Sequence, residues 1–284
     1  MKKKIGIVIL ATMMAALVAC GNDSKTGSNE TITVATNNET ENNKQENTTE
    51  KKQEANTDEL SDEYLLSLAE TSADQFRYEE LDDGTIKIKG YTGEYGKDVI
   101  IVIPAEIEGK KVTEIRKEGF QRAQFKALVT GVNVHSIGEG AFTSVVAEKI
   151  VINGPVTEIE SNTFALAQIG TVSLPNSVET IKGNAFLSYD GKQIIIPDSV
   201  KLIEVAAFSM TKIEEVVFDG GAAEVQKAAF SQNSNLKKVY VPACEIKFAE
   251  EAFYLSDNVT IVAPAGSAAE AYANDNGISF EALE

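Results

Sequence analysis

The stretch TVSLPNSVETIKGNAF, residues 171–186, is repeated in pattern by QIIIPDSVKLIEVAAF, residues 193–208, an offset of 22 residues. Carried in both directions from Phe186, that offset gives Phe120, Phe142, Phe164, Phe208 and Phe230, and one further step, longer by a single residue, gives Phe253. Each Phe follows a small residue (Gly119, Ala141, Thr163, Ala185, Ala207, Ala229, Ala252) and stands five positions after an apolar one (Ile115, Ile137, Ile159, Ile181, Ile203, Val225, Phe248). A unit of this length cannot bury its own apolar face, whereas stacked copies bury a continuous one.

Two more apolar positions lie 14 and 12 residues before the Phe: Ile150 and Ile152, Val172 and Leu174, Ile194 and Ile196, Val216 and Phe218. Period-two alternation predicts a short strand with one face inward. Pro175, Pro197 and Pro242 follow the second inward residue and end the strand, because proline has no N–H to give a neighbouring rung. Val156, Val178 and Val200, eight before the Phe, imply that the chain turns back under the strand, so each unit is one flat coil. The expected fold is a mainly β repeat solenoid of about seven 22-residue units.

The two quoted stretches resemble the BspA-type leucine-rich repeat, common in surface proteins of bacteria and some protozoa, and the resemblance covers roughly residues 99–263. It implies a leucine-rich-repeat stack and, for some members, a role in adhesion. The chain departs from the pattern at EIEGKK, inserted before Val112, and at Gly131, which stands where other units have proline. It has no uniform asparagine column, so the curvature of other leucine-rich repeats is not expected.

Residues 1–19 have a basic start and an apolar run from Ile5 to Ala19, shorter than a comfortable membrane span, and read as a secretory signal. The LVAC ending at Cys20, followed by Gly21, resembles the lipobox of bacterial lipoproteins. That resemblance implies a lipid-modified Cys20 as the new N-terminus, anchored by more than one acyl chain. Residues 20–57 are Asn, Thr, Glu, Gln and Lys with little apolar content beyond Ile32 and Val34, a composition expected to be a disordered tether. Its root-mean-square span would be about 35 Å.

Residues 58–98 are expected to form an N-terminal cap. Leu60, Tyr64, Leu65, Leu68 and Ala69 have helical spacing, and Asp82-Asp83-Gly84 marks the turn of a hairpin between Phe76 and Ile88. Tyr91 and Tyr95 are assigned to packing within this cap. Residues 99–263 form the solenoid. Residues 264–284 form a C-terminal cap: Ser267 and Glu270 make a capping box, Asn276-Gly277 ends the helix, and Ile278-Ser279-Phe280 is a last strand.

The net charge is −17, and near −20 once Lys2, Lys3 and Lys4 are removed with the signal, which disfavours nucleic acid and anionic lipid headgroups as partners. The chain has a single histidine, His135, and Cys244 has no partner once Cys20 carries lipid, so no metal site, cofactor or catalytic set is expected. No phosphate-cradling glycine loop is present in the sequence. The reading is a non-enzyme.

Binding has one clue. The residue between the two inward strand positions faces the other way, giving an outward stripe of Val129, Val151, Ser173, Ile195, Val217 and Tyr240, edged by Ala127, Lys149, Thr171, Gln193, Glu215 and Lys238. Contiguous exposed apolar ribbons mark interaction sites, although β-branched residues are favoured in strands whatever they face. The expectation is a monomeric, lipid-anchored module on the bacterial surface that binds an unidentified surface or host protein. The alternative is a glycan-binding or nutrient-capture lipoprotein, for which Tyr240 is the one aromatic of the stripe.

Overall fold

A computed structural model describes residues 60–242 and 246–283. The signal segment, Cys20, the tether, the first two residues of the expected N-terminal cap and Cys244 lie outside the described residues. Seven strands, one before each repeated Phe, are followed by Thr260–Ala263 and Ser279–Ala282, giving nine parallel rungs. The rungs fall into two ladders, Gly96–Val102 to Gln168–Ser173 and Gln193–Ile196 to Ser279–Ala282. The opposite side of each coil carries a short return strand. Five of these, from Glu158–Ile159 to Lys247–Phe248, form a second parallel ladder.

The seven phenylalanines stack in one column at centroid separations of 5.6, 5.5, 4.9, 4.7, 5.0 and 5.5 Å, each ring nearly parallel to the next. None is more than 5% exposed. Each Phe amide but that of Phe253, the last of the column, donates to the carbonyl of the small residue before the next Phe, as Phe120 does to Ala141 and Phe186 to Ala207, at 2.9 and 2.8 Å. The residue before the Phe is small where it is buried in the corner, Ala141, Ala185, Ala207, Ala229 and Ala252 all being 0% exposed.

The same corner explains an unusual backbone. In every coil the residues two before and two after the Phe have positive φ: Asn162 and Leu166, Asn184 and Ser188, Ala206 and Met210 are three such pairs. Glycine fills only one of these fourteen positions, Gly140. The left-handed conformation costs a non-glycine residue about 1–2 kcal/mol. It is held because it turns successive amides along the stack: Glu118, Phe120 and Arg122 all donate to the next coil, to Glu139, Ala141 and Thr143.

The column three residues after the Phe is less uniform. It holds Ala123, Val145, Ala167, Tyr189, Thr211, Asn233 and Ser256, all buried. Asn233 binds four ways: its Oδ1 accepts from the Thr211 amide and hydroxyl at 2.7 and 2.9 Å, and its Nδ2 donates to the Phe208 and Phe230 carbonyls at 2.8 and 3.0 Å. Ser256 adds a bond from the Asn233 amide. A short polar ladder therefore exists in the last coils. Between the last strand of the first ladder and the first of the second, Tyr189 is fully buried, edge-on to Phe186, and its hydroxyl has no hydrogen-bond partner. Burial pushes that phenol well above its ordinary value.

At the ends, Phe76–Glu80 and Ile86–Tyr91 form the expected hairpin, which pairs with Lys110–Ile115. Asp83 holds its turn by accepting from the Thr85 amide and hydroxyl at 2.9 and 2.7 Å. Tyr91 packs on Phe76 and Tyr95, and its hydroxyl donates to Gln75 at 2.7 Å. The helix α2, Ala268–Asp275, starts where Ser267 accepts from the Glu270 amide at 3.2 Å. Ala269 and Ala273 bury against the core, and Tyr272 packs on Phe248 and Phe253.

The N-terminal helix departs from expectation. It is short, α1 at Asp62–Leu66, with Ser61 as its N-cap, and Tyr64 points to solvent at 46% exposure rather than joining the apolar face. It does not belong with the hairpin at the end of the core. Leu65 is fully buried in a separate cluster with Val102, Ala127, Val129 and Val151, flanked by Leu60 and Leu68. α1 thus lies across the outward face of the first ladder.

Candidate functional site: the outward sheet face

The strand alternation places Val129, Val151 and Ser173 in register across the first ladder and Ile195, Val217 and Tyr240 in register across the second, so the outward row has a break in pairing between Ser173 and Ile195. The row is not open along its length. Val129 and Val151 are 2% and 4% exposed because α1 covers them, which corrects the expectation of a continuous stripe. The edging residue Ala127 is buried in the same cluster. The cover is anchored at both ends. Asp62 pairs with Lys149 at 2.5 Å and accepts from the Ser173 hydroxyl at 3.0 Å. At the far side the Thr71 amide donates to the Val102 carbonyl and the Thr71 hydroxyl accepts from the Val102 amide, both at 2.9 Å.

Beyond Ser173 the row opens. Ile195 is 53% exposed, while Val217 and Tyr240 are half-buried. The next outward residue, Val262, is covered at 2% exposure, so the open segment is three rungs wide. Its rim is polar and internally tied. Gln193 donates to Glu215 at 3.1 Å, and Lys238 pairs with Glu281 at 2.8 Å while its ammonium lies 5.8 Å from the Tyr240 ring centroid. The Glu281 carboxylate holds the Lys238 ammonium above its ordinary value, so it stays charged at neutral pH.

This arrangement has no nucleophile–base pair. Among the described residues no group of three His, Cys, Asp or Glu is placed to hold a metal ion, and no helix is long and apolar enough to cross a membrane. His135 is exposed, with its backbone amide bonded to the Thr113 carbonyl. What the face offers is an aliphatic and aromatic patch with a charged rim, the anatomy of a small interface centre. Sequence reasoning missed the cover, since the helical spacing around Leu65 signals a buried face without saying what buries it.

No match was found among curated proteins. The structure is similar to the crystal structure of a T. pallidum leucine rich repeat protein, at 20% identity and a TM-score of 0.51, covering 75% of this chain and 98% of that one. At that identity the likeness shows the fold alone. It also matches the pneumococcal vaccine antigen PcpA at 17% identity and a TM-score of 0.47, over 75% of this chain and 49% of that protein. Residues 104–209 and 157–269 match the BspA type leucine rich repeat region, in six copies. That match takes in more than half of the 284 residues and coincides with the stacked coils, so the chain belongs to the BspA-type leucine-rich repeat family.

Proposed function

We propose that the chain is a lipid-anchored binding module of the bacterial surface. Its partner is a protein that docks on the open sheet segment Ile195, Val217 and Tyr240. The single observation that carries this reading is the contrast in exposure along one row of residues: Val129 and Val151 are already buried by the chain's own helix, whereas Ile195 is half exposed. An apolar row that the fold covers on either side and leaves open over three rungs fits a site reserved for a partner. Membership of a repeat family without catalytic residues supports a non-enzymatic role. The LVAC pattern supports attachment through Cys20.

The docking reading is tested by replacing Ile195 with Ser, Val217 with Thr and Tyr240 with Ser together, and measuring attachment to immobilised surface proteins before and after trypsin treatment of those proteins. Loss of attachment in the triple variant, and after trypsin, is the expected result. Attachment that survives trypsin would move the reading to a glycan ligand. The anchor is tested separately: detergent-phase partition of the expressed chain should be lost in Cys20→Ala.

A further inference from the structure

The N-terminal hairpin and the strand beside it carry a face whose charge is opposite to that of the chain as a whole. Its outward side chains are Arg77, Glu79, Lys87, Lys89, Glu114 and Arg116: four cations and two carboxylates. Both carboxylates are taken by the lysines, Glu114 by Lys87 at 2.8 Å and Glu79 by Lys89 at 3.0 Å. Neither Arg77 nor Arg116 has an ion pair or a side-chain hydrogen bond among the described residues. The chain has only three arginines, against a net charge of −17, and two of them are left in this state on one face.

Both arginines line a cleft of about 550 Å³, together with Phe76, Tyr78 and Lys89. Gly90 leaves room for the Arg77 guanidinium beside it. Its φ of +150° disfavours other residues, and a Cβ there would stand 3.1 Å from Arg77 Nη2 and 3.1 Å from the Gly119 carbonyl oxygen. Two like charges facing one cleft repel each other, and the carboxylate near them, Glu79, feels Arg116 but is ion-paired to Lys89 and does not fully relieve them. An external oxyanion would, because the planar guanidinium fork matches carboxylate and sulfate geometry with two parallel hydrogen bonds.

We propose that this cleft is a binding site for an acidic saccharide, with Arg77 and Arg116 gripping its carboxylate or sulfate and Lys89 adding a third positive charge. The size favours a single ring over a peptide: the cleft is a local cavity within the 300–1,000 Å³ or so usual for small ligands, whereas peptides are taken by grooves or free sheet edges. The site is separate from the sheet-face reading and does not depend on it.

The test is a titration of the isotope-labelled full chain with glucuronate, followed by the amide signals of Arg77 and Gly90 and the arginine side-chain N–H signals. Saturable shifts at these groups are expected. They should weaken roughly tenfold or more in Arg77→Gln and in Arg116→Gln, the loss of a hydrogen bond to a charged group. Arg116→Lys, which keeps the charge, should lose less, and the distant Lys201→Gln nothing. Inorganic sulfate should compete at the same groups but more weakly than glucuronate, and neutral glucose should not bind. Sulfate binding as tightly as glucuronate would overturn the saccharide, since the ring would then contribute nothing. No saturable shift, saturation by glucose, or glucuronate binding unchanged in both arginine variants would overturn the site itself.

Discussion

The inward phenylalanine column and the outward stripe are built from the same strands and coils, yet one is uniform and the other is split. Every ring of the column meets another ring at 4.7 to 5.6 Å and is closed off from water. The stripe has α1 over Val129 and Val151 and solvent over Ile195. The inward position is the same environment seven times, so the same residue answers it seven times. The outward position has no common neighbour, and what covers it is decided by a segment 64 residues away in sequence, Leu65 on Val129.

Breaking the column should cost most. Phe186→Ala removes a fully buried ring with neighbours on both sides, and about 3–5 kcal/mol of stability should be lost in a denaturant titration. Because coils contact mainly their neighbours, hydrogen exchange should accelerate most in the coils of Phe164 and Phe208.

Asn233→Leu attacks the column where it turns polar. It leaves the Phe208 carbonyl and the Thr211 amide without partners, while the Phe230 carbonyl keeps the Ser256 hydroxyl, and about 3 kcal/mol should be lost. The outward face should be less sensitive. Leu65→Ala should cost about 2 kcal/mol, seen as faster exchange in α1 and newly exposed Val129 and Val151, while the coils beyond Tyr189 stay protected. A uniform rise in exchange throughout the chain would instead make α1 part of the same cooperative unit as the column.

The smallest effect has the opposite sign. Tyr189→Phe removes a buried hydroxyl with no partner and keeps the edge contact with Phe186, so the melting temperature should rise, by about 1 kcal/mol in stability terms. A fall would show that the hydroxyl is satisfied.

The physics of repetition made the column, the strand ends at Pro175 and Pro197, and the N-cap at Ser267 legible from residues alone, although the Glu270 carboxylate accepts from the Gly266 amide rather than closing the expected box on Ser267. Each is a local pattern whose meaning does not depend on distant partners. The left-handed residues were not legible. Leu166, Met210 and Ala206 carry none of the glycine or asparagine signal that usually marks such backbone, because the stack imposes the conformation. Nor could the stripe be divided in advance: Val151 and Ile195 are both β-branched outward residues, and only the placement of Leu65 separates them. The unpaired state of Arg77 and Arg116 follows from which lysine reaches which carboxylate, a question of register across three strands.

The most direct measurement is hydroxyl-radical footprinting of the chain, free and with its surface protein partner bound. The account predicts that Ile195, Val217 and Tyr240 are modified in the free chain and protected in the complex, while Val129 and Val151 stay unmodified in both. Protection elsewhere with Ile195 and Tyr240 unchanged, or modification of Val151 on binding, would contradict the open sheet segment as the docking site.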